Sequence, residues 1–157
     1  MSTRLSKAAL LPTPGQVKIA ALLAQGMSTA KAAAELALAT GTVSAQVSSA
    51  HHRLGVCHRY GLIHACYVYG LIPRPDTALP LGGADADEVR ILWRLALDDS
   101  YDEITRNATL SSREVMKEKF DALRSRWDAV NDPHLITLGW RYGVLDASRG
   151  TGGHQLI

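Results

Sequence analysis

Helix-capping patterns recur 72 residues apart in this chain of 157 residues, and that repeat limits the possible folds more than any other feature. Thr13-Pro14-Gly15-Gln16 is a capping box with proline at the first helical position, and Asp85-Ala86-Asp87-Glu88 makes the same arrangement 72 residues on. Ser28 precedes a second helix, and at the same offset Ser100-Tyr101-Asp102-Glu103 is a full capping box. Leu38 and Leu110 each lead into small hydroxyl residues able to cap a third helix. Apolar positions follow the same offset, as in Val17/Val89, Ile19/Ile91 and Leu23/Leu95. Near Ser111 the offset becomes 73. Val43, Val47, Ala50 and Leu54 then pair with Met116, Phe120, Leu123 and Trp127, each set spaced along one face of a helix. Leu62-Ile63 matches Leu135-Ile136, and Tyr69-Gly70 matches Tyr142-Gly143. The pattern reads as an internal duplication of a four-helix unit.

Between the copies lies Ile72–Ala86, which holds three of the six prolines and the pair Gly82-Gly83, the composition of an extended linker. The division is therefore a unit at 11–72, a linker at 73–84, a second unit at 85–146 and a flexible tail at 147–157. Strand signals are nearly absent, so the fold class is all-α. A unit of about 60 residues has a marginal core by itself, so the two are expected to pack together. The second holds all three tryptophans, Trp93, Trp127 and Trp140. With 20% charged and 46% hydrophobic residues the chain is a packed globule. It has neither a signal-peptide start nor a run of about 18 apolar residues, so no membrane partner is expected and the location is cytoplasmic. Two cysteines, Cys57 and Cys66, suit a reducing compartment.

The net charge of +2 hides an asymmetry. Residues 1–76 hold seven Lys or Arg against two acids, and residues 77–157 hold ten against thirteen. The first unit suits a polyanion better than the second.

The first unit resembles the LuxR/FixJ-type (GerE-like) helix-turn-helix domain across about residues 11–72. The likeness rests on Thr13-Pro14, Leu22-Leu23-Ala24-Gln25-Gly26-Met27-Ser28, Gly41-Thr42-Val43, Leu54-Gly55-Val56, Arg59 and Gly70-Leu71-Ile72. The resemblance implies that Ser28–Leu36 positions the domain, Thr40–Arg53 reads the major groove, and Arg59–Tyr69 serves dimerisation. Such a reading helix needs an apolar face for the bundle and a small or polar face for a groove about 12 Å wide. Thr40, Thr42, Ser44, Ala45, Gln46, Ser48, Ser49, His52 and Arg53 supply the polar face, with Gln46 suited to adenine and Ala45 to a thymine methyl. Lys18, Lys31, Arg53 and Arg59 would hold phosphates without reading sequence. The chain departs from the family at Ser44 (usually Lys), Ala39 (usually a polar cap), Ala37 (usually Gly) and Gly61 (usually Glu), and each lost phosphate contact weakens binding. The second unit is linked to the family only through the repeat. Its equivalent helix, Ser112–Trp127, offers Arg113, Lys117, Lys119 and Arg124 as DNA contacts, while Asp98, Asp99, Asp102 and Glu103 nearby repel phosphate. Two roles stay open for this unit: a second DNA reader, which would gain from the high effective concentration of two tethered readers, or a degenerate copy that supplies dimer-like packing.

Other readings carry less. His51, His52, Cys57, His58, His64 and Cys66 are clustered, but their spacing matches no standard zinc site, so no metal and no cofactor is expected. No phosphate loop, G-x-S-x-G or H-E-x-x-H motif is present, so enzymatic chemistry is not expected. Asp98, Asp99, Asp102 and Glu103 flank a helix start, where acids suit the macrodipole. Tyr60, Tyr67, Val68 and Tyr69 form an apolar surface for the fourth helix of the second unit, with Trp140 and Tyr142, giving a monomeric pseudo-dimer; the alternative is a homodimer. The resulting expectation is a transcription regulator that binds double-stranded DNA, with RNA polymerase or another regulator as a further partner. Its rivals are a protein-interaction adaptor that kept the fold but lost DNA affinity, and an architectural DNA-binding protein.

Overall fold

Side-chain caps set where the helices begin. A computed structural model describes residues 11–80, 82–108 and 110–152. Among these residues there are eight helices and no strand: α1 (Pro14–Ala24), α2 (Thr29–Leu36), α3 (Thr40–Leu54), α4 (Arg59–Val68), α5 (Ala86–Ala96), α6 (Tyr101–Asn107), α7 (Arg113–Trp127) and α8 (Asp132–Arg141). The fold is all-α. Thr13, Asp85 and Ser100 form reciprocal capping boxes with Gln16, Glu88 and Glu103. Ser28, Ser112 and Asn131 accept from the backbone N–H three residues on. Helix starts in the second half fall 72 residues after those of α1 and α2, and 73 after those of α3 and α4.

One continuous apolar core runs through both halves. Val43, Val47, Ala50 and Leu54 are the buried stripe of α3, and Met116, Phe120, Leu123 and Trp127 that of α7. The centre is α4, in which every residue from Tyr60 to Tyr67 is buried. A helix with no polar face has to be enclosed, and α4 is enclosed by α1, α3, α5 and α8. Tyr67 lies against the Trp140 ring, with centroids 5.4 Å apart. Its hydroxyl bonds Thr137 Oγ1 at 2.9 Å, and Thr137 donates to the Ala24 carbonyl at 2.7 Å, joining α4, α8 and α1. Tyr142, expected against α4, instead packs edge-on against Trp127 at 5.0 Å.

The imidazole of His64 is fully buried where the two halves meet. Trp140 Nε1 donates to His64 Nδ1 at 3.1 Å. The proton therefore sits on Nε2, which donates to the Gly150 carbonyl at 2.9 Å. Both ring nitrogens are satisfied in the neutral form, and burial holds the pKa down to about 4.

The start of α4 is capped from the other half of the chain. His58, at its N-cap, makes no side-chain cap. Asp98, in the turn after α5, accepts from Cys57 N at 2.8 Å and His58 N at 3.0 Å. Its backbone is left-handed, φ 73°, a conformation Asp tolerates better than most residues. Gly61 leaves the room: a Cβ there would lie 2.7 Å from the Asp98 Cβ and overlap its carboxylate. The Tyr60 hydroxyl adds a bond to the Asp99 carbonyl at 2.7 Å.

Residues 73–80 form no helix, yet they are docked. Arg74 donates to the Tyr67 carbonyl at 3.0 Å and lies over Trp140, and Ala78 N donates to the Arg141 carbonyl. In the tail, residues 149–152 lie against the bundle. Gly150 supplies the acceptor that buried His64 requires, and Arg149 lies over Trp93 at 4.5 Å. The rest of the predicted tail, 153–157, is outside the described residues.

Two outcomes follow from this packing. An unfolded histidine titrates near 6.5, so as pH falls the unfolded chain takes up the proton before buried His64 does. The stability held by its neutral ring is complete above about pH 6.5 and declines toward pH 4, by about 3 kcal/mol in all. Urea unfolding across that range, with the ring followed by NMR, checks this; a His64 midpoint at 6.5 or above contradicts it. Asp98→Ala strips the cap from α4 and is expected to cost about 1–2 kcal/mol in the same assay, whereas unchanged stability would mean that the carboxylate does not hold the helix start.

Candidate nucleic-acid interface

In the first half, α2 and α3 are joined by the short turn Ala37-Leu38-Ala39. Ala37 ends α2 in a left-handed conformation, φ 54°, which explains why glycine would suit the position. Lacking a side-chain cap at Ala39, α3 is held by longer-range bonds. Gln16 Nε2 donates to Gln46 Oε1 at 2.9 Å, tying α1 to the middle of α3. Arg53 Nη1 donates to the Leu11 carbonyl at 3.0 Å. Arg59 Nη2 donates to Thr29 Oγ1 at 2.6 Å, fixing the start of α4 to the start of α2.

With Val43, Val47, Ala50 and Leu54 turned inward, the opposite side of α3 is open. Thr40, Thr42, Ser44, Ala45, Ser48 and His52 are exposed, and Gln46, Ser49, Arg53 and Arg59 are partly so. The side chains on this face are short, so a partner can approach the helix backbone closely. Lys31 is exposed on α2, and neither it nor Lys18 has a carboxylate within ion-pair reach among the described residues. Gln46 is less free than its sequence position suggested, since its carbonyl oxygen already serves Gln16 and its amide N–H groups are what remains to offer. Arg53 likewise spends one N–H on the backbone at Leu11. His51 turns inward; its Nε2 is buried without a hydrogen-bond partner, and burial, then Arg59 and His58, lower its pKa.

The corresponding helix of the second half differs in charge. Arg113 pairs with Asp102 at 3.4 Å and Lys119 with Asp87 at 3.5 Å. Arg124 pairs with Asp132 at 2.5 Å and with Asp121, and lies over the Phe120 ring. Arg126 pairs with the buried Glu88 at 2.8 Å. Lys117 is exposed with no ion pair among the described residues. Most of the cations on α7 are thus neutralised within the protein, whereas Lys31 on α2 has no carboxylate within ion-pair reach among the described residues.

The clustered cysteines and histidines do not converge. No group of three metal-ligating side chains occurs among the described residues. Cys66 is buried, with its thiol pushed up to about 12, and Cys57 is exposed. No described helix is long and apolar enough to cross a membrane.

An open, small-residue helix following a short helix and a tight turn is the geometry of a helix-turn-helix reader. Residues 13–66 match the family model of bacterial regulatory proteins, luxR family. A luxR-type helix-turn-helix domain therefore occupies this segment, from the N-cap of α1 into α4. Comparison of the chain with curated proteins and with solved structures returned no match. Sequence reasoning missed the cap that Asp98 gives to α4 and the ion pairs that occupy α7. Gly61, standing where the family usually has Glu, was the signal for the first.

Proposed function

We propose that the chain is a transcription regulator that binds duplex DNA through its luxR-type unit, with α3 in the major groove and α2 crossing the backbone. The open face of α3 carries this reading, because Thr42, Ser44, Ala45 and Ser48 present small side chains that are exposed among the described residues. In this reading Lys31, Arg53 and Arg59 hold phosphates, Thr40, Ser49 and His52 border the groove, and the amide of Gln46 faces a base edge.

Residues 85–146 are, in the same proposal, a diverged copy of the first unit. The matched helix starts and the paired caps support a duplication. The copy acts chiefly as a built-in partner: α8 covers the face of α4 that a second chain would otherwise cover, so the protein works as a monomer. Its own α7 is a poor reader, because Arg113, Lys119 and Arg124 would have to leave carboxylates before reaching phosphates. The same ion pairs are what favours the rival reading of a protein-interaction adaptor.

Selection from a random duplex pool across a salt series tests the proposal. A specific regulator enriches a sequence and shows a steep salt slope; Lys31→Glu and Ser48→Glu should each weaken binding about tenfold or more without unfolding the protein. No retention even at low salt would favour the adaptor, and retention without enrichment an architectural role. Sedimentation of the free chain as a stable dimer would overturn the built-in partner.

A further inference from the structure

An open groove of about 490 Å³ runs along α5, on the second half of the chain. Arg90, Arg94 and Arg149 line it, together with Val89, Trp93 and Leu97, and among the described residues no carboxylate does. Arg90 and Arg94 are one helical turn apart, so their side chains rise from the same face with about 6 Å between their stems. Arg90 is exposed and Arg94 partly so. Arg149 reaches the groove from the tail, laid over the Trp93 ring at 4.5 Å. Its position is built into the fold, since the neighbouring Gly150 carbonyl accepts from His64 and Thr151 lies within bonding distance of Tyr69. Three guanidinium groups with fork-shaped donors on one concave surface suit phosphate oxygens.

The carboxylates around the groove offset only part of its positive charge. Asp87 pairs with Arg90 but also with Lys119, and Asp99 stands 3.9 Å from Arg94 while accepting from Asn107. Asp146 is tied to Ser148 N. On α7, by contrast, Arg124 is held by two carboxylates.

We propose that this groove is a second phosphate-binding surface and that its ligand is the backbone of the duplex that α3 reads. The inference rests on the DNA-binding reading above and moves the second half's contact from α7 to α5. The contact is independent of sequence, supplying affinity and fixing the orientation of the protein on the duplex. The tail helps to form it, which gives the docking of residues 149–151 a role beyond satisfying His64.

The test measures binding of the full chain and of Arg90→Gln/Arg94→Gln to a long duplex carrying the selected sequence, over a salt series. The expected result is a several-fold weaker Kd and a log–log salt slope shallower by about 1–2, one step of roughly 0.9 per lost phosphate contact. Sequence preference stays as in the parent. Circular dichroism checks the fold, and the two single variants stand in if the double variant misfolds. Parent binding with an unchanged slope in the variants overturns this inference alone. Failure of the parent to bind DNA overturns the reading of α3, and this one with it. A nucleoside triphosphate that displaces the duplex from the groove at equal phosphate concentration identifies a small phosphate ligand and overturns the backbone assignment.

Discussion

At the centre of the molecule the Trp140 indole donates to the neutral His64 imidazole, which passes its own N–H to the Gly150 carbonyl. Three separate parts of the chain meet in that relay: α4, α8 and the tail. It satisfies the imidazole within the buried run Tyr60–Tyr67 of α4, and a buried polar group left unpaired would cost far more than the bonds contribute. The rest of the architecture follows from enclosing α4. With α8 and α5 on two of its sides and α1 and α3 on the others, the two halves share one core and cannot be considered as independent beads on a linker.

Enclosure of α4 has a consequence for the opposite side of the first half. The four inward residues of α3 are used against the bundle, so its remaining face is left to solvent, and bonds from Gln46, Arg53 and Arg59 to distant backbone or side chains stiffen its mounting. A reading helix that is rigid before it meets DNA loses less entropy on binding. The second half shows the opposite balance. Its α7 is laced by Asp87, Asp102, Asp121 and Asp132, which ties it to α5, α6 and α8 at the expense of charge available to a polyanion.

Much of the fold was legible because its signals are local. Thr13, Asp85 and Ser100 announce their helices through residues three positions away, and the stripes Val43 to Leu54 and Met116 to Trp127 need only helical periodicity to be read. The polar face of α3 was legible for the same reason. What escaped are contacts between residues far apart in sequence. Asp98 looked like an acid placed for the dipole of α6, and its actual partners, Cys57 and His58, lie some 40 positions earlier. Arg124 looked like a phosphate ligand until Asp132 from the next helix was found beside it. The placing of Gly150 in the tail answers a requirement set by a histidine 86 residues away.

The central claim is a division of labour: α3 faces DNA while the second half encloses α4 and keeps α7 out of the groove. Backbone NMR of the full chain, titrated with its selected duplex, addresses that division in one experiment. The account predicts the largest shifts at Thr40–Ser49 and at the start of α2, with α7 from Arg113 to Trp127 unperturbed. Shifts on α7 as large as those on α3, or none on α3 at saturating duplex, would contradict it.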